Sequence, residues 1–551
     1  MIIESSQKYA EKIALVDLKK TPMQNVTYNS LLKNILALGS ALKNLGLKER
    51  SHIAVIGDNR VQWALAYLTA MCFNYVIVPI DRNLTVNEIL NIIHESEAEA
   101  IIFTDAFEQM MLEHQSSLKK LRLYINMDSP AKRNNFSSMS ELIGTSERFD
   151  AQMLPSINND DVSEIIFTSG SLGRAKAVML SQKNLASNLM SMVQMFFIYP
   201  SDRFLSVLPM HHTYECTCGM LCPLFAGASV HYARSLKTIV EDLQEVHATI
   251  ILGVPLLYEK MFKRIYKTIK EKKVTSALIQ PLIRTTTLLE KLGWKNAKRA
   301  VFREIHNRFG GSVRCFIAGG AAPDPLVAKG LREFGFAFVQ GYGLTETSPI
   351  LTLNRLDNFK DDAAGLPLPG VELIIDSPDS DGIGEIFAKG PNVMLGYYKN
   401  EHATREVFSE GWFKTGDLGS IDSDGFLHIN GRKKNVIISN NGKNVFPEEI
   451  EDVLLRSPFV LEALVYGEKD EKHDEVIAAL IVVDAEAFIE LSEAREIEIT
   501  PQLLHEMIAE EVQKANHQLA SYKQVRKFYI RDQEFEKTTT QKIKRYLVAK
   551  K

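Results

Sequence analysis

At 551 residues, 45% hydrophobic and 24% charged, the chain has the profile of an ordinary globular protein with an ample core. Its 64 basic and 68 acidic side chains leave a net charge of −4, so no charge excess marks a nucleic-acid binder. Five cysteines, an odd number, suit a reducing compartment, and the start Met1-Ile2-Ile3-Glu4 lacks the basic-then-apolar order of a secretory leader; a cytoplasmic protein is expected.

Leu31, Ile35, Leu38, Leu42 and Leu45 recur at helical spacing and stop at Gly46, a residue suited to the position past a helix end. Residues 52–56 then read as a buried strand. Residues 61–80 are apolar enough to raise a membrane span, but Gln62, Thr69 and Asn74 interrupt them and Pro79-Ile80-Asp81 ends them. A buried helix ending near Asn74, followed by a core strand over 75–78, fits better. A helix over 86–94 and a strand over 100–103 continue an alternation that implies parallel sheet with helices on both faces.

The apolar run 164–167 ends in Thr168-Ser169-Gly170-Ser171-Leu172-Gly173-Arg174-Ala175-Lys176. Hydroxyls, glycines and a lysine after a strand are what a phosphate-holding turn requires: glycine lets backbone N–H groups approach an anion, and lysine adds charge. The spacing is not that of a Walker A loop, and a Ser/Gly-rich loop alone reads equally as a plain turn. Further on, Cys216, Cys218 and Cys222 lie near His211, His212 and His231. Their C-x-C-x-x-x-C spacing in an apolar stretch, with no second C-x-x-C, favours core packing over a zinc site.

A second cycle runs through a strand over 250–252, a helix-rich stretch over 256–308, a strand over 314–317, a helix over 325–333 and a strand over 336–340. Gly341-Tyr342-Gly343-Leu344-Thr345-Glu346-Thr347 follows at once, at the carboxyl end where such sheets bind ligands. Residues 364–429 are glycine-rich with short apolar runs, as for a small barrel-like subdomain. Past Arg432 the pattern becomes α+β: a strand over 436–438, a helix over 447–456, strands near Leu461 and Ile477, and a helix over 503–517. The fold class is α/β: a large N-terminal domain of parallel-sheet αβ subdomains plus the barrel-like one over 1–431, and a small α+β C-terminal domain over 432–551.

The loop from Thr168, the Gly341 to Thr347 segment, Gly411-Trp412-Phe413-Lys414-Thr415-Gly416-Asp417, Gly431-Arg432-Lys433-Lys434 and Thr540-Gln541-Lys542-Ile543-Lys544-Arg545 stand in one order. Together they resemble the adenylate-forming superfamily of acyl-CoA synthetases, nonribosomal-peptide adenylation domains and beetle luciferases, over nearly the whole chain. The resemblance implies two half-reactions: a carboxylate attacks the α-phosphorus of MgATP to give an acyl-adenylate and pyrophosphate, then a thiol displaces AMP. The first brings two anions together and needs directed donors and positive charge.

By that resemblance, Thr168, Ser169, Gly170, Ser171, Gly173 and Lys176 hold the β- and γ-phosphates; Ser171, Leu172, Ala175 and Ala177 depart from the family's T-S-G-T-T-G-x-P-K-G. Glu346 is the implied Mg2+ ligand, Thr345 donates to the α-phosphate, and Tyr342 between Gly341 and Gly343 stacks on adenine. Gly320 and Ala321 approach the base. Asp417 accepts from the ribose hydroxyls with Arg432 as its partner, and Lys434 is the hinge of a mobile C-terminal domain. His212 matches the histidine beside the substrate carboxylate, with His211 one residue away. Lys542 is the implied catalytic lysine, preceded by Gln541 where the family has glycine.

Arg432 to Val445 and the long insert after Gly253-Val254-Pro255 resemble the long-chain fatty acyl-CoA synthetase branch. ATP, Mg2+ and CoA are the cofactors this implies, and a medium- or long-chain fatty acid is the expected acid. Transfer to a carrier-protein phosphopantetheine is the alternative, and a non-catalytic nucleotide- or acyl-binding relative stands third. Ten basic against three acidic side chains in residues 521–551 suit CoA phosphates or a solvated face equally. Peripheral membrane contact is left open, as is the oligomeric state.

Overall fold

The computed structural model describes residues 1–146, 151–168, 175–271, 273–438, 443–469, 475–538 and 542–548. It divides into two compact units, one of Met1–Glu372 with Ala388–Phe413, the other of Leu373–Phe387 with Lys414–Lys551.

The larger unit carries two mostly parallel sheets among its described residues. In one, the order is Gly396–Tyr397, Lys176–Ser181, Val162–Thr168, Val76–Ile80, His52–Ile56, Ala100–Phe103, Leu123–Asn126 and Ser137–Ser138. The central strands are apolar without alternation because helices cover both faces. Helix Tyr28–Asn44 presents Leu31, Ile35, Leu38 and Leu42 to that core, and Gly46 follows it at φ 87°. Thr27 caps its start by accepting from the Ser30 N–H.

The run considered as a span is helix Val61–Cys72, then the wholly buried strand Val76–Ile80. Trp63 and Tyr67 stack inside it, their centroids 5.6 Å apart. Among the described residues no helix is long and apolar enough to cross a membrane.

The second sheet has the order Leu366–Pro367, Ile350–Leu353, Ala337–Gly343, Cys315–Ala318, Ile250–Gly253, Arg203–Ser206, Ser229–Tyr232, Ile13–Asp17 and Gln24–Thr27. The N-terminal strand thus joins it, pairing in parallel with Ser229–Tyr232, more than two hundred residues away. The helix-rich insert resolves into Pro255–Glu271, Lys273–Lys291, Ala297–Val301 and Arg303–Arg308.

In the smaller unit, residues 417–421 of strand Trp412–Ile421 pair antiparallel with Leu427–Arg432. Val460–Lys469 pairs antiparallel with Glu475–Val483, which pairs in parallel with Lys527–Arg531. Helices Pro447–Leu455 and Pro501–Asn516 pack Ile450, Leu454, Ile508 and Val512 into a core with Val465, Ala479 and Ile481.

Candidate active site

In the larger unit the two strands that flank the predicted phosphate loop pair antiparallel. Thr168 ends one strand, Lys176 begins the next, and the two are cross-strand partners. The Thr168 hydroxyl donates to the Lys176 carbonyl at 3.3 Å. Ser169, Gly170, Ser171 and Gly173 lie outside the described residues. The Lys176 ammonium stands 4.5 Å from the centre of the Tyr397 ring. Tyr397 in turn donates its hydroxyl to Glu346 Oε1 at 3.0 Å. That strand pair of one sheet and the Glu346 motif of the other therefore meet through a buried tyrosine.

That tyrosine was not among the expected site residues. Strand Gly396–Tyr397 pairs with Lys176–Ser181, setting Tyr397 opposite Val178, and the Met394 N–H donates to the Glu346 carbonyl at 2.8 Å. A Gly-Tyr step fifty-one residues past Glu346 carries no local signal; its position comes from strand pairing alone.

The Gly341-Tyr342-Gly343 motif is still in strand Ala337–Gly343 and turns back against Ile350–Leu353. Gly343 has no alternative: a Cβ there would fall 1.8 Å from the Pro349 carbonyl oxygen. Thr345 and Glu346 lie in the one-turn helix Thr345–Thr347, with Glu346 half-buried. Two buried asparagines fix the segment that follows. The Asn188 amide donates to the Ile350 carbonyl at 2.6 Å, and the Asn392 amide donates to the Thr347 and Ile350 carbonyls at 2.9 and 3.1 Å. Neither asparagine stood out in the sequence, because each acts across more than forty residues.

His211 and His212 sit in a bend, their ring centres 4.1 Å apart. His211 is buried, with Nε2 3.6 Å from Asp81 Oδ2, and burial then nearby Arg82 push its pKa down to about 3. It is therefore neutral at pH 7, whereas His212 is the half-buried neighbour. The π-helix Tyr214–Leu221 follows, a distortion frequent at functional sites. Tyr214 donates its hydroxyl to the Ile317 carbonyl at 3.1 Å, and a Cβ on Gly319 would fall 2.7 Å from its ring. Gly320, at φ 86°, and Ala321 follow that contact, so the glycine turn adjoins the helix that begins after His212.

Between these elements lies an apolar cavity of about 40 Å³, lined by Met192, Phe196, Phe204, Tyr214, Cys218 and Gly341 among others. Among the described residues its lining carries no charged side chain. Cys218 and Cys222 both face it, and burial raises both thiol pKa values above the ordinary cysteine range, so they serve as apolar wall. Glu215, in the π-helix, and Glu164, on strand Val162–Thr168, are buried carboxyls whose pKa values desolvation raises to about 8. Tyr67 donates to Glu164 Oε2 at 3.0 Å.

In the smaller unit, Asp417 and Arg432 are cross-strand partners, with Arg432 Nε 2.8 Å from Asp417 Oδ1. Asp417 is buried and Arg432 half-buried, so the carboxylate and the guanidinium hold each other in a charge-assisted pair. Lys542 is in the electrostatic reach of both. It keeps an exposed residue surface, while loss of water around its ammonium lowers its pKa, with Arg432 acting the same way and Asp417 opposing.

Its backbone is fixed on both sides: the Lys542 N–H donates to the Thr538 hydroxyl at 3.2 Å, and the Thr538 N–H donates to the Lys542 carbonyl at 2.8 Å. Three residues on, Arg545 pairs with the buried Glu451 and donates to the Val465 carbonyl at 3.0 Å. Lys523, Lys527 and Lys537 also pair, with Glu449, Glu468 and Glu462, so much of the basic tail is internal scaffolding. Lys434 lies in the turn Lys433–Asn435, and Lys433 pairs with Glu385 at 2.7 Å.

Glu346, half-buried and oriented by Tyr397, suits a magnesium ion that takes one protein carboxylate and completes its shell with phosphate oxygens and water. Among the described residues no group of three or more His, Cys, Asp or Glu could form an all-protein metal cage.

The chain is 28% identical over 557 residues to the long-chain-fatty-acid–CoA ligase FadD15 of Mycobacterium bovis, covering 96% of this chain and 91% of the relative. It is also 28% identical to the chloroplastic long-chain-fatty-acid–[acyl-carrier-protein] ligase AEE15 of Arabidopsis thaliana, covering 88% and 75%. Among solved structures, ATP-bound MatB of Rhodopseudomonas palustris superposes with a TM-score of 0.77 at 24% identity, over 99% and 97% of the two chains. The AMP-binding enzyme model matches residues 3–398 and the model of its C-terminal domain matches 449–542; the chain belongs to this family of adenylate-forming ligases.

Proposed function

We propose that the protein activates a medium- or long-chain fatty acid, first as the acyl-adenylate and then as its CoA thioester, releasing pyrophosphate and AMP. The observation that carries the choice of acid is the cavity beside Gly341 and Tyr214, walled by Met192, Phe196, Phe204 and Cys218. Such a wall suits an apolar group and offers nothing to a second charge, and the space of about 40 Å³ admits a short part of an alkyl chain. The relatives named as long-chain-fatty-acid ligases support the same choice.

The roles follow from chemistry. His212 is assigned to the substrate carboxylate as a hydrogen-bond donor. Lys176 and the Thr168 loop are assigned to the β- and γ-phosphates, and Thr345 to the α-phosphate. Magnesium, when bound at Glu346, supplies positive charge against the phosphates. Tyr342, Gly320 and Ala321 are assigned to adenine, and the Asp417–Arg432 pair to the ribose hydroxyls. Lys542 supplies a mobile positive charge where the attacking carboxylate and the α-phosphate meet, the point of greatest charge build-up. Lys434 is assigned as the hinge by which Lys542 leaves before the thiol attacks.

The test is to mix the purified protein with MgATP, CoA and a panel of saturated fatty acids and identify products by mass. Acyl-CoA with AMP is the expected result. Acyl-adenylate or AMP without acyl-CoA would transfer the reading to a carrier-protein acceptor, which the relationship to the acyl-carrier-protein ligase favours. No acid-dependent AMP with any fatty acid would overturn the proposal.

A further inference from the structure

The bend that carries His212 leaves one sheet and is gripped by the other. Strands His52–Ile56 and Val76–Ile80 lie side by side in parallel, with Ile56 opposite Ile80, so Asn59 and Asp81 follow the same carboxyl edge. Open α/β sheets bind ligands at that edge. Here the edge holds a piece of the chain itself. The Asn59 amide donates to the Leu208 carbonyl at 2.6 Å and to the Ser206 hydroxyl at 3.1 Å, and its oxygen accepts from the Met210 N–H at 3.0 Å. These contacts bracket Pro209, whose carbonyl accepts from the His212 N–H at 3.1 Å. From the neighbouring strand end, Asp81 Oδ2 stands 3.6 Å from His211 Nε2.

Asn59 is itself fixed. Lys19, two residues past strand Ile13–Asp17 of the second sheet, donates to the Asn59 carbonyl at 2.7 Å and pairs with Asp58. Arg60 pairs with Asp58 at 2.8 Å and also with Asp128. A Cβ on Gly57 would fall 2.7 Å from the Thr104 side chain, so the turn before Asn59 is equally close-packed. Ion pairs on both neighbours hold the Asn59 backbone, while both polar atoms of its amide are committed to residues 206–210. A donor to a reacting carboxylate depends on such placement, since a shift of about 1 Å can cost on the order of 10²-fold in rate.

We infer that Asn59 is a positioning residue for adenylation: by clamping residues 206–210 it sets where His212 meets the substrate carboxylate. This role rests on the assignment of His212 to that carboxylate, and Asn59 acts through His212 rather than on the substrate.

The test is a double-mutant cycle on adenylate formation from dodecanoate and MgATP. Asn59→Ala should lower kcat/KM for dodecanoate by about tenfold or more and leave the KM for ATP within about twofold of wild type. His212→Ala should lower the same rate, and adding Asn59→Ala to it should cost less than about twofold more. Thioester formation from supplied dodecanoyl-adenylate should stay close to wild type in Asn59→Ala, because the carboxylate has already reacted. Should Asn59→Ala fold poorly, Asn59→Asp keeps the size and the acceptor for Met210 but sets an oxygen against the Leu208 carbonyl, and the same pattern is expected. Additive losses from the Asn59 and His212 substitutions, or equal losses in both half-reactions, overturn the proposal. Failure of the underlying assignment is distinguishable: His212→Ala would then form adenylate as the wild type does, and the positioning role would fall with it.

Discussion

The Tyr397 hydroxyl donates to Glu346 Oε1 at 3.0 Å while the Tyr397 ring lies under the Lys176 ammonium at 4.5 Å. One buried side chain thus orients the carboxylate assigned to magnesium and the cation assigned to phosphate, and it does so through two separable interactions.

Tyr397→Phe removes the hydroxyl and keeps the ring. The lost bond to a carboxylate is worth about 1.5–3 kcal/mol. The expected result is a several-fold higher Mg2+ requirement for adenylate formation, with ATP affinity at saturating Mg2+ nearly unchanged. Tyr397→Leu removes the ring as well and should additionally weaken ATP binding. Initial rates across a magnesium titration separate the two; identical profiles for both variants would detach the ring from Lys176 function.

Lys542 and Arg545 divide chemistry from anchoring. Lys542→Ala should slow adenylate formation by on the order of 10²–10³. It should leave thioester formation from supplied acyl-adenylate close to wild type. Arg545→Met keeps the ammonium but frees its tail from Glu451 and the Val465 carbonyl. Adenylation should fall by about tenfold, equivalent to about 1.4 kcal/mol. Equal losses in both half-reactions for Lys542→Ala would remove the proposed division of labour.

Most of the architecture was legible because period and punctuation agree over long stretches. Leu31 to Gly46 reads as one helix and its stop, and the apolar run ending at Thr168 reads as a strand. What could not be read acts at a distance. Ile13–Asp17 pairs with a strand more than two hundred residues later, and Tyr397 reaches Glu346 only because its own strand pairs with Lys176–Ser181. The π-helix Tyr214–Leu221 is set by tertiary packing: Gly219 inside it leaves room for the Glu215 carboxyl, a contact that nothing in the sequence announces. Arg545, read as part of a basic patch, is an anchor because Glu451 lies buried beneath it.

The buried groups of the larger unit give its stability a pH dependence of fixed sign. Glu164 and Glu215, with pKa values raised to about 8, stay protonated in the folded chain while ordinary carboxyls ionise near 4.5. Their contribution is full below about 4.5 and is lost as pH rises through about 8. His211, His231 and His306, lowered to about 3, 4 and 4, act oppositely, and their contribution is lost as pH falls below 6.5. Above 6.5 the histidines no longer oppose the carboxyls. The melting temperature should therefore fall between pH 6.5 and 8, and Glu215→Gln should flatten that limb. An unchanged slope in Glu215→Gln would show that Glu215 ionises as readily folded as unfolded.

The cavity gives the sharpest test of the acid. Cys218 lies on its wall, its Sγ 3.4 Å from the Met192 sulfur. Cys218→Phe would fill with an aromatic ring a space of about 40 Å³, which by itself admits only a short part of an alkyl chain. Overpacking of this kind costs about 1–3 kcal/mol where neighbours yield. If the acyl chain occupies the space, the penalty falls on long acids and spares short ones, whose carboxylate still reaches His212. The expected outcome is a fall of about tenfold or more in kcat/KM for dodecanoate or longer acids, at nearly constant kcat/KM for butanoate. The short acid also reports whether the variant is folded. A uniform loss across chain lengths would mean that Cys218 supports the π-helix and that the alkyl chain runs elsewhere.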